Sequence, residues 1–210
     1  MWVPRIRATL LFVIRDGHLL LIEKKRGFGA GKVNGPGGKL APGETAMQAA
    51  LREVEEEVGV VPRNVRARGT LSFQFVGTPP GWRPTDPGTP PGWRPTDSGT
   101  PPGWRPTDPG TPPGPGTPPA DGWGMHVSVF TADDCDGEVT ESEEARPFWC
   151  AAEALPYERM WADDRVWLPA LLAGHDVTLR AVFDGDEMLD HTLVTDAVPS
   201  PDRSGPERPR

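Results

Sequence analysis

Cysteine is scarce in this chain. Cys135 and Cys150 are the only two among 210 residues, and they do not form a CxxC spacing. Two such cysteines make no disulfide framework, so a reducing, cytoplasmic setting is the expectation. Long apolar runs are also missing. The longest near the N-terminus is LLFVI, Leu10 to Ile14, far too short to cross a bilayer. It follows Arg5 and Arg7 as a signal core would, but Arg15 and Asp16 come next and no A-x-A-like cleavage site appears. It reads as a buried strand, and no membrane partner is expected. Positive charge is in short supply too: 22 Lys and Arg against 30 Asp and Glu leave a net charge of −8. That balance argues against a nucleic-acid polymer as partner, because backbone-phosphate binding rests on many Lys/Arg contacts. A small anionic substrate stays compatible where a metal or a local basic cluster meets it. The four histidines, His18, His126, His175 and His191, are scattered without ligand spacing and read as structural or surface residues.

Proline, by contrast, is abundant and concentrated. Of 27 prolines, 16 lie between Gly77 and Asp121, where GTPPGWRPTDP recurs with an 11-residue period and then degrades to GTPPGP and GTPPAD. The segment lacks the aliphatic content to offset its ordering entropy, and its prolines disfavour helix and sheet. A disordered or polyproline-like insert over 77–121 is expected, with 198–210 as a flexible tail. The bland reading is a tandem duplication tolerated in a surface loop. The repeat tryptophans, Trp82, Trp93 and Trp104, leave open a partner that binds the Pro/Trp repeat.

The remainder, 1–76 and 122–197, has the size of one domain, expected to be monomeric. IRATLLFVI and HLLLIEK read as strands joined by a turn at Arg15-Asp16-Gly17, and a glycine-rich loop, GFGAGKVNGPGGKLAPGE, follows. VRARGTLSFQFVG and MHVSVFTA should pair, with the insert as an enlarged hairpin loop. A strand at Arg146–Cys150, a helix around Arg165–Ala173 and a closing hairpin turning at Asp184-Gly185-Asp186 complete the pattern. Strands and helices alternate irregularly, which points to an α/β fold with a mixed sheet between helices.

The helix after the glycine loop carries the chemistry. Thr45 and Gln48 form a capping box and Gly59 a terminator, so it should run from Ala46 to Val58. At about 100° per residue, Glu53, Glu56 and Glu57 share one arc, Met47, Ala50, Leu51, Val54 and Val58 form the buried face, and Glu55 lies apart. Three like charges near a helix C-terminus oppose one another and the macrodipole. A total of about 1–3 kcal/mol from both effects is tolerable and proves nothing alone. A divalent cation reverses each of these terms, and hard carboxylate oxygens suit Mg²⁺, which bridges carboxylates to phosphates.

Read with the preceding loop, Gly38, Glu44 and Arg52-Glu53-Val54-Glu55-Glu56-Glu57-Val58-Gly59-Val60 match the complete box of the Nudix hydrolase family, GX5EX7REUXEEXGU, with U aliphatic. KKRGFGAG (24–31), NG-x-GGK (34–39), FQFVG (73–77), ESEEARPFW (141–149) and RMWADDRVWLP (159–169) further resemble the animal MutT-type oxidized-purine triphosphatases of that family. The resemblance implies an α/β/α sandwich and hydrolysis of oxidized purine nucleoside triphosphates to monophosphate and pyrophosphate. It implies Mg²⁺, with Mn²⁺ as a substitute, on Glu53, Glu56, Glu57, Glu144 and the Gly37 carbonyl. Glu57 or Glu56 would act as base, and Glu44 with Arg52 would shape the loop. Thr9, Lys24, Phe28, Asn34, Gly37, Gly38, Lys39, Phe73, Trp161, Asp163 and Asp164 would meet the substrate. An indole offers a stacking face, and two adjacent buried carboxyls can differ in protonation and so read an altered base edge. Asp163 and Asp164 also fit a simpler role as caps of the following helix. Lys24, Lys25, Arg26, Lys32 and Lys39 suggest a basic mouth. Val33, Pro36 and Ala145 stand where the family has Trp, Phe and Met, and are expected to reshape the base pocket. Two other readings stay open: a Nudix hydrolase of another nucleotide, such as an ordinary triphosphate, an ADP-sugar or a capped RNA, and a scaffold acting through the Trp/Pro repeat.

Overall fold

The apolar runs at the start of the chain become strands β1 (Ile6–Arg15) and β2 (His18–Lys24). Asp16 and Gly17 both take positive φ between them, the turn that follows the right-handed twist of a tight hairpin. The structure is a computed structural model that describes Pro4, residues 6–76 and residues 123–197. The proline-rich segment and the tail lie outside the described residues.

Eight strands form one mixed sheet in the order β10-β9-β5-β6-β1-β2-β3, with β8 also on β2. Here β3 is Val33–Asn34, β5 Arg66–Phe75, β6 Trp123–Ala132, β8 Ala145–Ala151, β9 His175–Asp184 and β10 Glu187–Ala197. The expected pairing of β5 with β6 is present, antiparallel from Arg66↔Thr131 to Phe75↔Trp123. The pairs β1–β6 and β5–β9 are parallel. Three short strands had no signal in the sequence: β3, β4 (Val61–Arg63) and β7 (Asp134–Asp136), the last two forming a separate ribbon.

Helices cover both faces. On one, α1 (Ala46–Val58) packs with Leu11, Val13, Leu20, Ile22 and Phe130. On the other, α2 (Asp164–Leu172) places Trp167, Leu168 and Leu171 against Phe12, Leu179 and Phe183. Strand alternation accounts for the split: Ile6, Leu10 and Phe12 face α2 while Leu11 and Val13 face α1. The capping box on α1 is formed in both directions, and Gly59 ends the helix in the left-handed region (φ 76°) with its N–H donating to the Glu55 carbonyl. The buried face of α1 is Ala49, Ala50, Val54, Glu57 and Val58; Met47 and Leu51 are only half-buried. The expected face was therefore rotated by part of a turn, toward a carboxylate.

The sheet has a split that positions everything else. Strands β1 and β2 pair only beside their turn, at Ile14↔Leu19 and Arg15↔His18. Further along, β1 is satisfied by the glycine loop instead. Thr9 N–H donates to the Gly38 carbonyl (2.8 Å), Leu11 N–H to Pro36 (2.9 Å), and Leu40 N–H to Arg7 (3.0 Å). A segment without regular structure thus fills a strand's place, because buried peptide groups need partners.

Candidate active site

The loop in the split passes beneath the C-terminal half of α1, and two glycines make that approach tight. A Cβ on Gly37, which has φ 155°, would overlap the Thr9 carbonyl, and one on Gly38 would overlap the Glu53 carboxylate. With no side chains between them, Glu53 and Glu57 both come against the loop. Gly37 N–H donates to Glu57 Oε2 (2.9 Å), and Lys24 Nζ stands 3.4 Å from Glu57 Oε1. Glu57 is 1 % exposed and Glu53 14 %. Burial raises the proton affinity of both carboxyls, against the opposing pull of Lys24 on Glu57 and Arg52 on Glu53.

Glu56 does not join them. It is 60 % exposed, and its Oε2 accepts from Arg52 Nη1 (2.9 Å), a neighbour one helical turn away. Among the described residues, no three His, Cys, Asp or Glu side chains are grouped so as to hold an ion. What the fold offers a cation is therefore the convergent pair Glu53 and Glu57, alongside the Gly37–Gly38 backbone.

Arg52 ties helix to loop. Its Nε and Nη2 form a fork onto Glu44 (2.9 and 3.0 Å), Nη2 also reaches the Lys39 carbonyl (3.2 Å), and Nη1 donates to Glu53 (2.9 Å). Glu44 additionally accepts from Ala41 N–H (2.8 Å). The fork from Arg52 holds the Glu44 carboxyl below its ordinary range, and Glu44 in turn keeps the guanidinium proton bound even more firmly than usual.

On the opposite side of the split opens a cavity of about 460 Å³. It is lined by Thr9, Lys24, Phe28, Asn34, Gly37, Gly38, Lys39, Glu53, Phe73, Glu144, Trp161, Asp163 and Asp164 among others, so all the expected substrate residues border one space. Phe28 stacks on Trp161 with ring centroids 5.1 Å apart and planes 14° from parallel. Phe75, Met125 and Phe183 extend the wall, and the sequence reading missed them. Strand parity would have found Phe75, two residues from Phe73 and therefore on the same face.

Asp163 and Asp164 are 3 % and 2 % exposed. Neither caps α2 with its side chain as the simpler reading supposed. Asp163 Oδ2 accepts from Trp167 Nε1 (3.0 Å), and Asp164 Oδ2 accepts from the Trp161 backbone N–H (3.0 Å). Burial pushes Asp163 up to about 6, and Asp164 is pushed well above its ordinary value by burial and by Asp163 beside it. The hydroxyl of Thr9 is a further buried polar group, and no hydrogen-bond partner for its Oγ1 exists among the described residues.

Other expectations change here. The basic mouth is largely neutralised: Lys24 faces Glu57, Lys25 pairs with Glu141, Arg26 with Glu144 (2.6 Å), and Lys32 with Asp186 (3.1 Å). Glu144 thus borders the cavity with one oxygen taken by Arg26 Nε and Nη2. Val33, Pro36 and Ala145 do not line the cavity; Val33 and Ala145 are fully buried, one in each core. Any influence they have on the pocket passes through packing behind its walls.

The NUDIX domain family model matches residues 4–171. The oxidized purine nucleoside triphosphate hydrolase of Danio rerio is 34 % identical over 86 % of this chain and 96 % of its own length. The Mus musculus enzyme of the same name is 34 % identical over 88 % and 92 %. A MutT protein from Bacillus halodurans has a similar structure, with a TM-score of 0.60, 20 % identity, and coverage of 90 % of this chain and 97 % of that one. Domain match and full-length relatives agree, and the chain belongs to the NUDIX family, carrying its hydrolase domain.

Proposed function

We propose that this hydrolase acts on oxidized purine nucleoside triphosphates, releasing monophosphate and pyrophosphate and so clearing damaged nucleotides from the pool. The observation that carries the reading is the Asp163–Asp164 pair. Two adjacent carboxyls, both nearly inaccessible and both held toward protonation, stand in an aromatic cavity whose far end reaches Glu53 and the Gly37–Gly38 backbone. A protonated carboxyl donates and an ionised one accepts, so the pair matches a base edge that offers both functions, as oxidation of a purine creates. The curated relatives over the full domain are named for that substrate class.

The phosphate end fits a divalent ion. Glu53 and Glu57 present hard oxygens on one side of the loop; Glu57 is buried and Glu53 partly exposed, burial raises the proton affinity of both, and Arg52 beside Glu53 and Lys24 beside Glu57 oppose that rise. Mg²⁺, or Mn²⁺ in its place, would be held by Glu53, Glu57 and the Gly37 carbonyl, with Glu56 and Glu144 flanking. When bound, such an ion screens phosphate charge and acidifies water. Glu57, oriented by Gly37 N–H and Lys24, takes the proton of the attacking water. Arg52, anchored by its fork on Glu44, keeps Glu53 in register with the loop. Phe28 and Trp161 hold the base against the acid pair.

Residues 1–76 and 122–197 act as this one catalytic domain, with 77–121 inserted at the β5–β6 connection. No described helix is long and apolar enough to cross a membrane; a monomer working in the cytoplasm is part of the proposal. The test is hydrolysis of 8-oxo-dGTP, 2-hydroxy-dATP, dGTP and ADP-ribose with Mg²⁺, with products separated by chromatography. Preference for the oxidized purines with pyrophosphate release is expected. Equal turnover of dGTP would remove the substrate assignment, and a preference for ADP-ribose would move the chain to another NUDIX activity.

A further inference from the structure

Lys32 joins two parts of the molecule, the cavity wall and the β9–β10 turn. Its ammonium is 4.7 Å from the centroid of the Trp161 ring, and it pairs with Asp186 at 3.1 Å in the β9–β10 turn. The side chain is only 23 % exposed. Its backbone is fixed at both ends, since Lys32 N–H donates to the Gly29 carbonyl and the Lys32 carbonyl accepts from Lys24 N–H (both 2.9 Å). The same loop leaves Trp161 little room, for a Cβ on Gly29 would fall 3.3 Å from the indole edge.

We propose that Lys32, clamped by Asp186, is a positioning residue of this pocket: it fixes Trp161, a wall of the cavity, from the far hairpin. The inference rests on the pocket reading above and assigns it a part contributed by the far hairpin. Three arguments support it. A cation over an indole is held by the ring quadrupole, which restrains the indole that walls the cavity. The positive charge of Lys32 also acts on Asp164, opposing the rise that burial and Asp163 cause there. Asp186 lies beyond Lys32, so the clamp couples the β9–β10 turn to the base site.

Kinetics of Lys32→Met, Lys32→Arg, Asp186→Asn and the exchanged pair Lys32→Asp/Asp186→Lys test this, read on the purine triphosphate that wild type turns over best. For Lys32→Met, KM should rise about tenfold with kcat within about twofold, as loss of one partly desolvated cation–π contact gives. Lys32→Arg should restore KM, and Asp186→Asn should fall between. The exchanged pair should not rescue, because it restores the tether but removes the cation from the indole. Rescue by the exchange, or an unchanged KM in Lys32→Met with a wild-type thermal melt, overturns the proposal. The substrate reading fails separately, on wild type alone, if oxidized purines are not preferred. The KM comparison then still decides the clamp on whichever triphosphate is used.

Discussion

Replacing Thr9 with Val should make the free protein more stable and the enzyme worse. Thr9 is 1 % exposed, and its Oγ1 has no partner among the described residues, while its backbone N–H is held by the Gly38 carbonyl at 2.8 Å. Thr and Val are both β-branched and of similar shape, so strand propensity and rotamer restriction nearly cancel. What remains is the buried hydroxyl. An unsatisfied polar group costs about 1–3 kcal/mol, and an apolar group of the same shape avoids that cost. Taking about 1 kcal/mol, the melting temperature of a domain this size should rise by about 2–4 °C. The same hydroxyl borders the cavity, so a hydrogen bond it gives to substrate is lost, and KM should rise about 3–10-fold, as a neutral hydrogen bond is worth. Calorimetry of the free protein, paired with kinetics on 8-oxo-dGTP, measures both. A melting temperature lowered by a similar amount would show that the hydroxyl is already satisfied in the free protein. An unchanged KM would remove Thr9 from substrate binding.

Gly38→Ala should lower kcat by about 100-fold or more with a modest loss of stability, because the new methyl displaces the Glu53 carboxylate rather than the core, and misplacing a reacting group by about 1 Å costs on that scale. Circular dichroism and metal-dependent kinetics separate the two effects. The acid pair should also give a pH signature of stability. Asp163 and Asp164 have folded-state affinities raised above the unfolded value, so their contribution is fully present below the unfolded pKa, near 4, and is lost as pH rises through about 6, the value for Asp163. Urea unfolding of Asp163→Asn should therefore vary less between pH 4 and 7 than wild type; an identical profile would refute the shifts. Replacing 77–121 by a short turn should leave kcat within about twofold, since Phe75 and Trp123 are already paired across the hairpin end and loops of this kind tolerate length changes. A large loss of turnover would give the repeat a role in catalysis.

The course of α1 was legible because its stop and start are local: a side-chain box at Thr45 and a left-handed glycine at Gly59 need no tertiary context. The box residues Glu44 and Arg52 were likewise readable as a pair, and the structure places them in a fork. The burial of Glu57 was not legible. A wheel projection puts it on the acidic arc, and its cover comes from Gly37 of the loop and Lys24 of β2. Asp163 and Asp164 were ambiguous for a similar reason. Their position before a helix fits capping, whereas their hydrogen bonds go to Trp167 and Trp161, partners fixed by packing. Charge pairing was the least readable layer: Arg26 with Glu144 and Lys32 with Asp186 join residues more than a hundred positions apart.

The glycine loop sets a limit on how this enzyme can diverge. Three of its positions are pressed against three different surfaces: Gly35 against the Phe12 ring, where a Cβ would lie 2.7 Å away, Gly37 against a peptide carbonyl, and Gly38 against a carboxylate. None of the three can acquire a side chain without moving a strand, the core or an acid. Substitutions that retune substrate choice are thereby channelled to the opposite wall, to the aromatic residues and the Lys32 clamp. The glycine side of the cavity stays a fixed gauge while the aromatic side is free to vary.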